Sequence, residues 1–256
     1  MSTTSLTESG RIAAPPRWLF LLESRALVEL GFMLGSMPWL KKAPRGDGHP
    51  VLVLPGFLAS SASTIPLRSY LRDLGYDAHR WRLGRNTGYS PELFEKLTRR
   101  VRNLSIHAEQ SVSLVGWSLG GVFAREVARI IPDRVRQVIT LGSPFRGGNQ
   151  GTNVSWLYQK VSGHSLEDFD QAFMQALAES PPVPCTAIHT HSDGVVNWET
   201  TIEDSIRPDV ENVEVGGAHC GLGFNPKSLW VIADRLAQND GEWRPFRPKG
   251  LLSWIY

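Results

Sequence analysis

The chain is poor in cysteine, with Cys185 and Cys220 the only two in 256 residues. Two thiols cannot build a disulfide framework, so a reduced, cytoplasmic setting is the simpler expectation and a single bridge the alternative. No run of 18 or more uninterrupted apolar residues is present, so no segment reads as a bilayer-spanning helix. Neither sign of charge dominates: 27 Lys plus Arg stand against 25 Asp plus Glu, for a formal charge of +2. That balance gives no basis for nucleic-acid binding. The N-terminus lacks a compact apolar run leading to a small-residue cleavage site, and no secretory signal is expected. Internal repeats are absent. Tryptophan, at nine residues, is abundant and suggests aromatic surface or pocket wall as well as core.

In chain order, residues 1–48 read as a loose tail (1–14), an apolar helical extension and a polar linker. Residues 17–40 are apolar around much of a helical circumference, interrupted by Glu23, Arg25 and Glu29. They fit a helix or helix pair packed on the body of the domain, a helix lying weakly on a membrane surface, or a partner-binding surface. Residues 49–240 alternate strand and helix signals. Val51–Leu54 is a continuous apolar run of the kind found in a strand covered on both faces. Strands are also expected over 76–81, 112–115, 135–141, 185–189 and 210–215, with helices over 66–75, 90–108, after 118 and over 226–238. Residues 149–182 carry helical periodicity (Phe169, Phe173, Met174, Leu177) and no strand signal, which suggests an inserted lid or cap. Residues 241–256, rich in Pro, Arg and aromatics, read as a surface strap. Strands alternating with helices argue for an α/β fold with a mostly parallel sheet.

The chemistry centres on Gly116-Trp117-Ser118-Leu119-Gly120, a G-x-S-x-G between a short strand and a helix. This pattern fits a nucleophile elbow, in which a strained turn lifts the serine hydroxyl above the sheet. Glycines two residues either side let strand and helix cross closely. Trp117 is expected to pack around the turn, and Arg125, Glu126 and Arg129 to face water from the helix. A serine needs a base, and the base an orienting acid. Asp193 and His219 each follow a later strand, in the order Ser, Asp, His, and loops at the carboxyl ends of parallel strands converge on one crevice. His219, bracketed by glycines, is expected to be exposed and free to swing. His189 reads as a packed, satisfied histidine, His191 as pocket wall or a support for Asp193, and Cys220 as a small buried hydrophobe. Backbone N–H groups of Leu119 and of Phe57, with Leu58 next, are the candidates to hold an oxyanion. No metal-ligand spacing accompanies the histidines, so neither metal nor cofactor is expected.

With these residues in view, the chain resembles the α/β-hydrolase fold, in its lipase and carboxylesterase branch. The elbow, Leu54-Pro55-Gly56-Phe57, Leu141-Gly142-Ser143-Pro144, Ser192-Asp193-Gly194 and Gly217-Ala218-His219 are similar to that branch's segments and occur in its order. The resemblance covers roughly residues 50–238 and includes segments similar to those of bacterial triacylglycerol lipases. It departs at Pro55, where many lipases carry histidine, and in having no readable calcium site. It implies a serine esterase working through an acyl-enzyme on a small-molecule or lipid-like ester. An acyltransferase with the same residues and a non-catalytic binding protein of this fold are the alternatives. Acyl length and oligomeric state are not legible.

Overall fold

The computed structural model describes residues 12–146, 151–162 and 171–248, together with 253 and 256. The expected tail, part of the 149–182 insertion and part of the C-terminal strap lie outside the described residues. Six strands form one sheet in the order β2-β1-β3-β4-β5-β6. They are β1 (Pro50–Leu54), β2 (Asp77–Arg80), β3 (Val112–Trp117), β4 (Val135–Leu141), β5 (Cys185–His189) and β6 (Val210–Glu214). Every pairing is parallel. The expected α/β fold is therefore present.

Parallel strands must be joined by crossovers, and these cover both faces. In β1, Val51 and Val53 join the core beneath α3 (Ile65–Asp73) and α8 (Pro226–Leu236), while Leu52 and Leu54 join the core beneath α4 (Pro91–Ala108) and α5 (Leu119–Ile130). Alternate side chains of one strand thus serve two cores, which is why its sequence shows no polar alternation. The chain runs from β1 outward to β2 and then returns to β3 on the other side of β1. The crevice beyond the carboxyl ends of β1 and β3 is the switch point where such sheets place their chemistry.

Two elements frame that end of the sheet. The N-terminal extension comprises α1 (Arg17–Leu21), a 3-10 turn (Leu22–Arg25) and α2 (Ala26–Leu40). Met33 and Leu40 enter the core beside α8, and Trp39 stacks on Trp230 with ring centres 4.3 Å apart. The insertion contributes α6 (Ser155–Ser162) and α7 (Gln171–Ala178). The Tyr158 ring of α6 lies 5.3 Å from that of Phe57.

Helix α5 departs from expectation. Arg125 is fully buried rather than facing water, and Glu126 and Arg129 are mostly covered. The reason is α7, which ends against α5 and leaves carbonyls that need a donor. Arg125 supplies it to Leu177, Ala178 and Glu179 while pairing with buried Glu203 and lying 3.7 Å from the centre of the Phe145 ring.

Candidate active site

Ser118 sits between β3 and α5 with φ +51° and ψ −125°. A non-glycine residue here costs about 1–3 kcal/mol and persists only when its surroundings enforce it. The surroundings do so closely. A Cβ on Gly116 would stand 2.3 Å from the Gly121 Cα, and one on Gly120 would stand 2.6 Å from the carbonyl oxygens of Leu54 and Pro55. Ser118 donates its N–H to the Leu141 carbonyl at 2.8 Å, tying the elbow to the end of β4.

The loop that carries the candidate oxyanion donors follows β1. Gly56 passes so near the elbow that a Cβ there would lie 3.2 Å from the Ser118 Cβ. Buried Asn86 holds this loop from three sides: its carbonyl accepts the Leu58 N–H at 2.7 Å, its N–H reaches the Ala59 carbonyl at 2.8 Å, and its side chain reaches the Pro55 carbonyl at 2.9 Å. The two candidate donors are thereby separated. The Leu58 N–H is committed, whereas the Phe57 N–H has no partner among the described residues. Leu119 opens α5, where the first N–H groups of a helix have no acceptor within it.

Asp193 and His219 meet as a buried pair. The His219 Nδ1 lies 2.6 Å from Asp193 Oδ2, with the residues 5% and 3% exposed. Asp193 Oδ1 accepts the N–H groups of Val195 and Val196, both at 2.8 Å, which fixes the carboxylate plane. Gly142 makes room at the end of β4: its φ is +53°, and a Cβ would lie 3.0 Å from His219 Nδ1. Trp117 lies edge-on to Phe224, with ring centres 6.0 Å apart, and donates its indole N–H to the His219 carbonyl at 3.0 Å, linking the elbow to the histidine loop. Burial works against the His219 cation. The Asp193 charge and hydrogen bond, and then the Glu23 charge, outweigh it, so the imidazole titrates above the ordinary histidine value. Among the described residues no hydrogen bond joins the Ser118 hydroxyl to the His219 ring. Such contacts are often loose in unliganded sites. With Nδ1 facing the acid, Nε2 is the nitrogen left to accept a proton.

Several expectations need correction. His219 is buried, not exposed, because the N-terminal extension covers its loop. Cys220 is exposed rather than buried; partial desolvation and then the Glu23 carboxylate push its thiol up to about 12, leaving it a poor nucleophile at neutral pH. Both cysteines are free. His191 is half exposed, pairs with Glu214 at 3.4 Å and packs on Trp198 with ring centres 4.1 Å apart. His189 is buried, but its Nδ1 has no hydrogen-bond partner among the described residues. His189, His191 and Glu214 have ligand atoms within 4.8 Å of one another, so this group could hold a metal ion. It shares no residue with the Ser118 centre.

The residues that sequence reasoning missed lie in the extension. Glu23, 9% exposed, accepts N–H groups from Gly194 (2.8 Å), His219 (3.2 Å) and Cys220 (2.8 Å). Glu29 accepts the Ala218 N–H at 2.6 Å and the Asn225 amide at 3.0 Å. Arg25 donates to the carbonyls of Ser192 at 2.6 Å and Gly217 at 2.9 Å. The signal was three charges within an apolar stretch. Their loop partners, nearly two hundred residues away, left none.

Comparison with known proteins follows the same lines. A family model described as palmitoyl protein thioesterase matches residues 50–192. The pimeloyl-(acyl-carrier protein) methyl ester esterase of Aliivibrio salmonicida (strain LFI1238) is 32% identical over 118 residues, covering 44% of this chain and 42% of that protein. The chain therefore aligns with less than half the length of this curated relative. Among solved structures, Aspergillus fumigatus lipase B superposes with a TM-score of 0.63 at 18% identity, covering 81% of this chain and 56% of that one. Paleococcus ferrophilus monoacylglycerol lipase gives 0.53 at 13% identity, covering 73% and 96%. The structural likenesses establish the α/β-hydrolase fold.

Proposed function

The chain belongs to the palmitoyl protein thioesterase family, and from that premise we propose that it is a serine hydrolase cleaving acyl esters through an acyl-enzyme. The observation that carries the reading is the buried 2.6 Å His219–Asp193 pair, on the loops beside a serine held at φ +51°. In this reading Asp193 fixes the His219 tautomer, His219 takes the Ser118 proton, and the hydroxyl attacks the acyl carbonyl. The uncommitted N–H groups of Phe57 and Leu119 hold the oxyanion. The alcohol leaves with the proton from His219, and water, activated by the same imidazole, releases the acid. The helices of residues 149–182 act as a cap, in keeping with the packing of Tyr158 on Phe57.

The substrate is a lipid-like or medium-chain acyl ester. An acyl thioester is a second reading, favoured by the description of the matching family. Rates on p-nitrophenyl esters and acyl thioesters of increasing acyl length, with Ser118→Ala as control, test both. Turnover that survives in Ser118→Ala would contradict the mechanism. Acyl transfer to added alcohols outrunning hydrolysis would instead make the enzyme a transferase.

Residues 17–40 bring the enzyme to an anionic lipid surface in this reading. Their charges, Glu23, Arg25 and Glu29, turn inward to the loops. The outer face exposes Trp18, Leu21, Leu27, Phe32 and Leu34, each more than 60% exposed. Exposed Arg17, Lys41 and Lys42 bracket that face, as expected for a helix lying among acidic headgroups. No helix among the described residues is long and apolar enough to cross a membrane. Co-sedimentation with phosphatidylglycerol-containing vesicles should be lost in Leu27→Ser/Phe32→Ser. A dimer dissolved by the same substitutions, with no vesicle binding by the parent chain, would show that a second copy covers this face.

A further inference from the structure

The N-terminal extension precedes the segment that matches the family model, yet it bridges the acid and histidine loops, adding to the direct bonds of Thr190 and Ser192 to the Gly217 carbonyl. Its 3-10 turn places one nearly buried carboxylate, Glu23, across the gap between them. Oε1 receives the N–H of Gly194, the residue after Asp193, at 2.8 Å and the N–H of His219 itself at 3.2 Å. Oε2 receives the N–H of Cys220 at 2.8 Å. Charge-assisted bonds of this kind are among the stronger ones a backbone can make. Arg25 repeats the bridge with opposite polarity, donating to Ser192 on one loop and Gly217 on the other. Glu29 adds a hold on Ala218.

The packing leaves no slack. A Cβ on Gly194 would meet the Leu19 carbonyl carbon and oxygen at 2.4 Å, and one on Gly221 would meet Glu29 Oε2 at 2.2 Å. Both loop glycines are therefore matched to the extension as well as to their own turns.

We propose that the N-terminal extension is a positioning element for the reaction centre, with Glu23 as its anchoring residue. It ties the loop of Asp193 to the loop of His219 and fixes the separation on which their hydrogen bond depends. The inference rests on the reading of His219 as the base. Geometry is its foundation, and charge adds to it. The charged groups acting on His219 are Asp193 from the acid loop and Glu23 from the 3-10 turn; Arg25 and Glu29 bind backbone groups of the same loops, and Cys220 is the sequence neighbour. Glu23 favours the imidazolium that forms when Ser118 gives up its proton.

The test uses the full chain carrying Glu23→Gln, with Glu23→Asp as the conservative variant. Gln keeps one acceptor but turns an amide donor toward N–H groups and removes the charge. Turnover of a short, soluble p-nitrophenyl ester is normalised to sites titrated by a fluorophosphonate. Glu23→Gln should lower kcat on the order of tenfold, less than the roughly hundredfold that a 1 Å misplacement can cost, with KM nearly unchanged. The acid limb of its pH profile should move to lower pH, and Glu23→Asp should restore part of both effects. A merely structural role would lower the melting temperature but leave kcat per titrated site and the acid limb in place, which overturns the proposal. Should Glu23→Gln fail to fold, Glu29→Gln is read the same way, with a smaller loss in the same direction expected and no change overturning it. NMR titration of the His219 ring, with and without the Glu23 charge in Ser118→Ala protein, needs no activity. A lowered pKa supports the brace and an unmoved one overturns it, even if the wild type proves inactive and the hydrolase reading itself fails.

Discussion

At the scale of single residues, the site is built as much by missing side chains as by present ones. Gly116, Gly120 and Gly142 stand where a Cβ would strike the elbow, the β1 exit or the histidine. Gly120→Ala should therefore cost about 1–3 kcal/mol through overpacking, read as a drop in the urea midpoint with unchanged slope, together with a larger loss of turnover. Wild-type stability in that variant would show the crossing to be looser than described. His219 carries the other residue-level consequence. Its pKa is raised, so the neutral base is depleted until the pH passes above the ordinary value of about 6.5. The acid limb of kcat/KM should lie above that value, and a limb below it would remove His219 as the base or Asp193 as its partner. The elbow, Asp193 and His219 were legible in the sequence because glycine spacing and strand ends are local signals. The burial of His219 was not, because what covers it comes from the other end of the chain.

At the scale of elements, α5 shows how a helix face can be misread. Arg125 follows Ser118 by seven positions and looks like one of several charges on a solvent face. The insertion turns that face into an interior by laying α7 across it, and Arg125 becomes the donor for the end of α7 and the partner of Glu203. Removing one member of a buried pair leaves an uncompensated charge, at a cost of about 3–5 kcal/mol. Arg125→Leu should show a loss of that size by chemical denaturation, and Arg125→Leu/Glu203→Leu should recover much of it. If the double variant is as unstable as the single one, the carbonyls of α7 rather than Glu203 are what Arg125 serves. The extension carries the same lesson with the sign reversed. One apolar face (Leu19, Ala26, Met33, Leu40) is buried and another (Trp18, Leu27, Phe32, Leu34) is exposed, while Glu23, Arg25 and Glu29 turn inward, so periodicity identified the helix but not the side that would be buried.

At the scale of the whole molecule, parallel pairing brings loops from residues 55–59, 116–121, 190–196 and 216–221 to one end of the sheet. Their order was readable because strand and helix signals alternate along the chain, with short apolar runs in β1 and β3. Their bracing was not, since Glu23 and Asn86 act through backbone groups that any sequence would offer. Stability should also depend on pH through His49, which is buried between Asp47 and Ser113. Burial lowers its pKa despite Asp47. The unfolded chain then binds more protons at acid pH, and stability falls as the pH drops below about 6.5. Denaturation midpoints at neutral and mildly acidic pH should show this fall, and His49→Gln should reduce it; an equal fall in both would place the acid sensitivity elsewhere. All of these features converge on the serine at the elbow. The most direct measurement is intact-mass labelling of the folded full chain by a fluorophosphonate, followed by peptide mapping. The expected result is one adduct per chain on Ser118, lost in His219→Ala and in unfolded protein. A folded chain that takes up no label, or carries it on another residue, would contradict the assignment of Ser118 as the nucleophile.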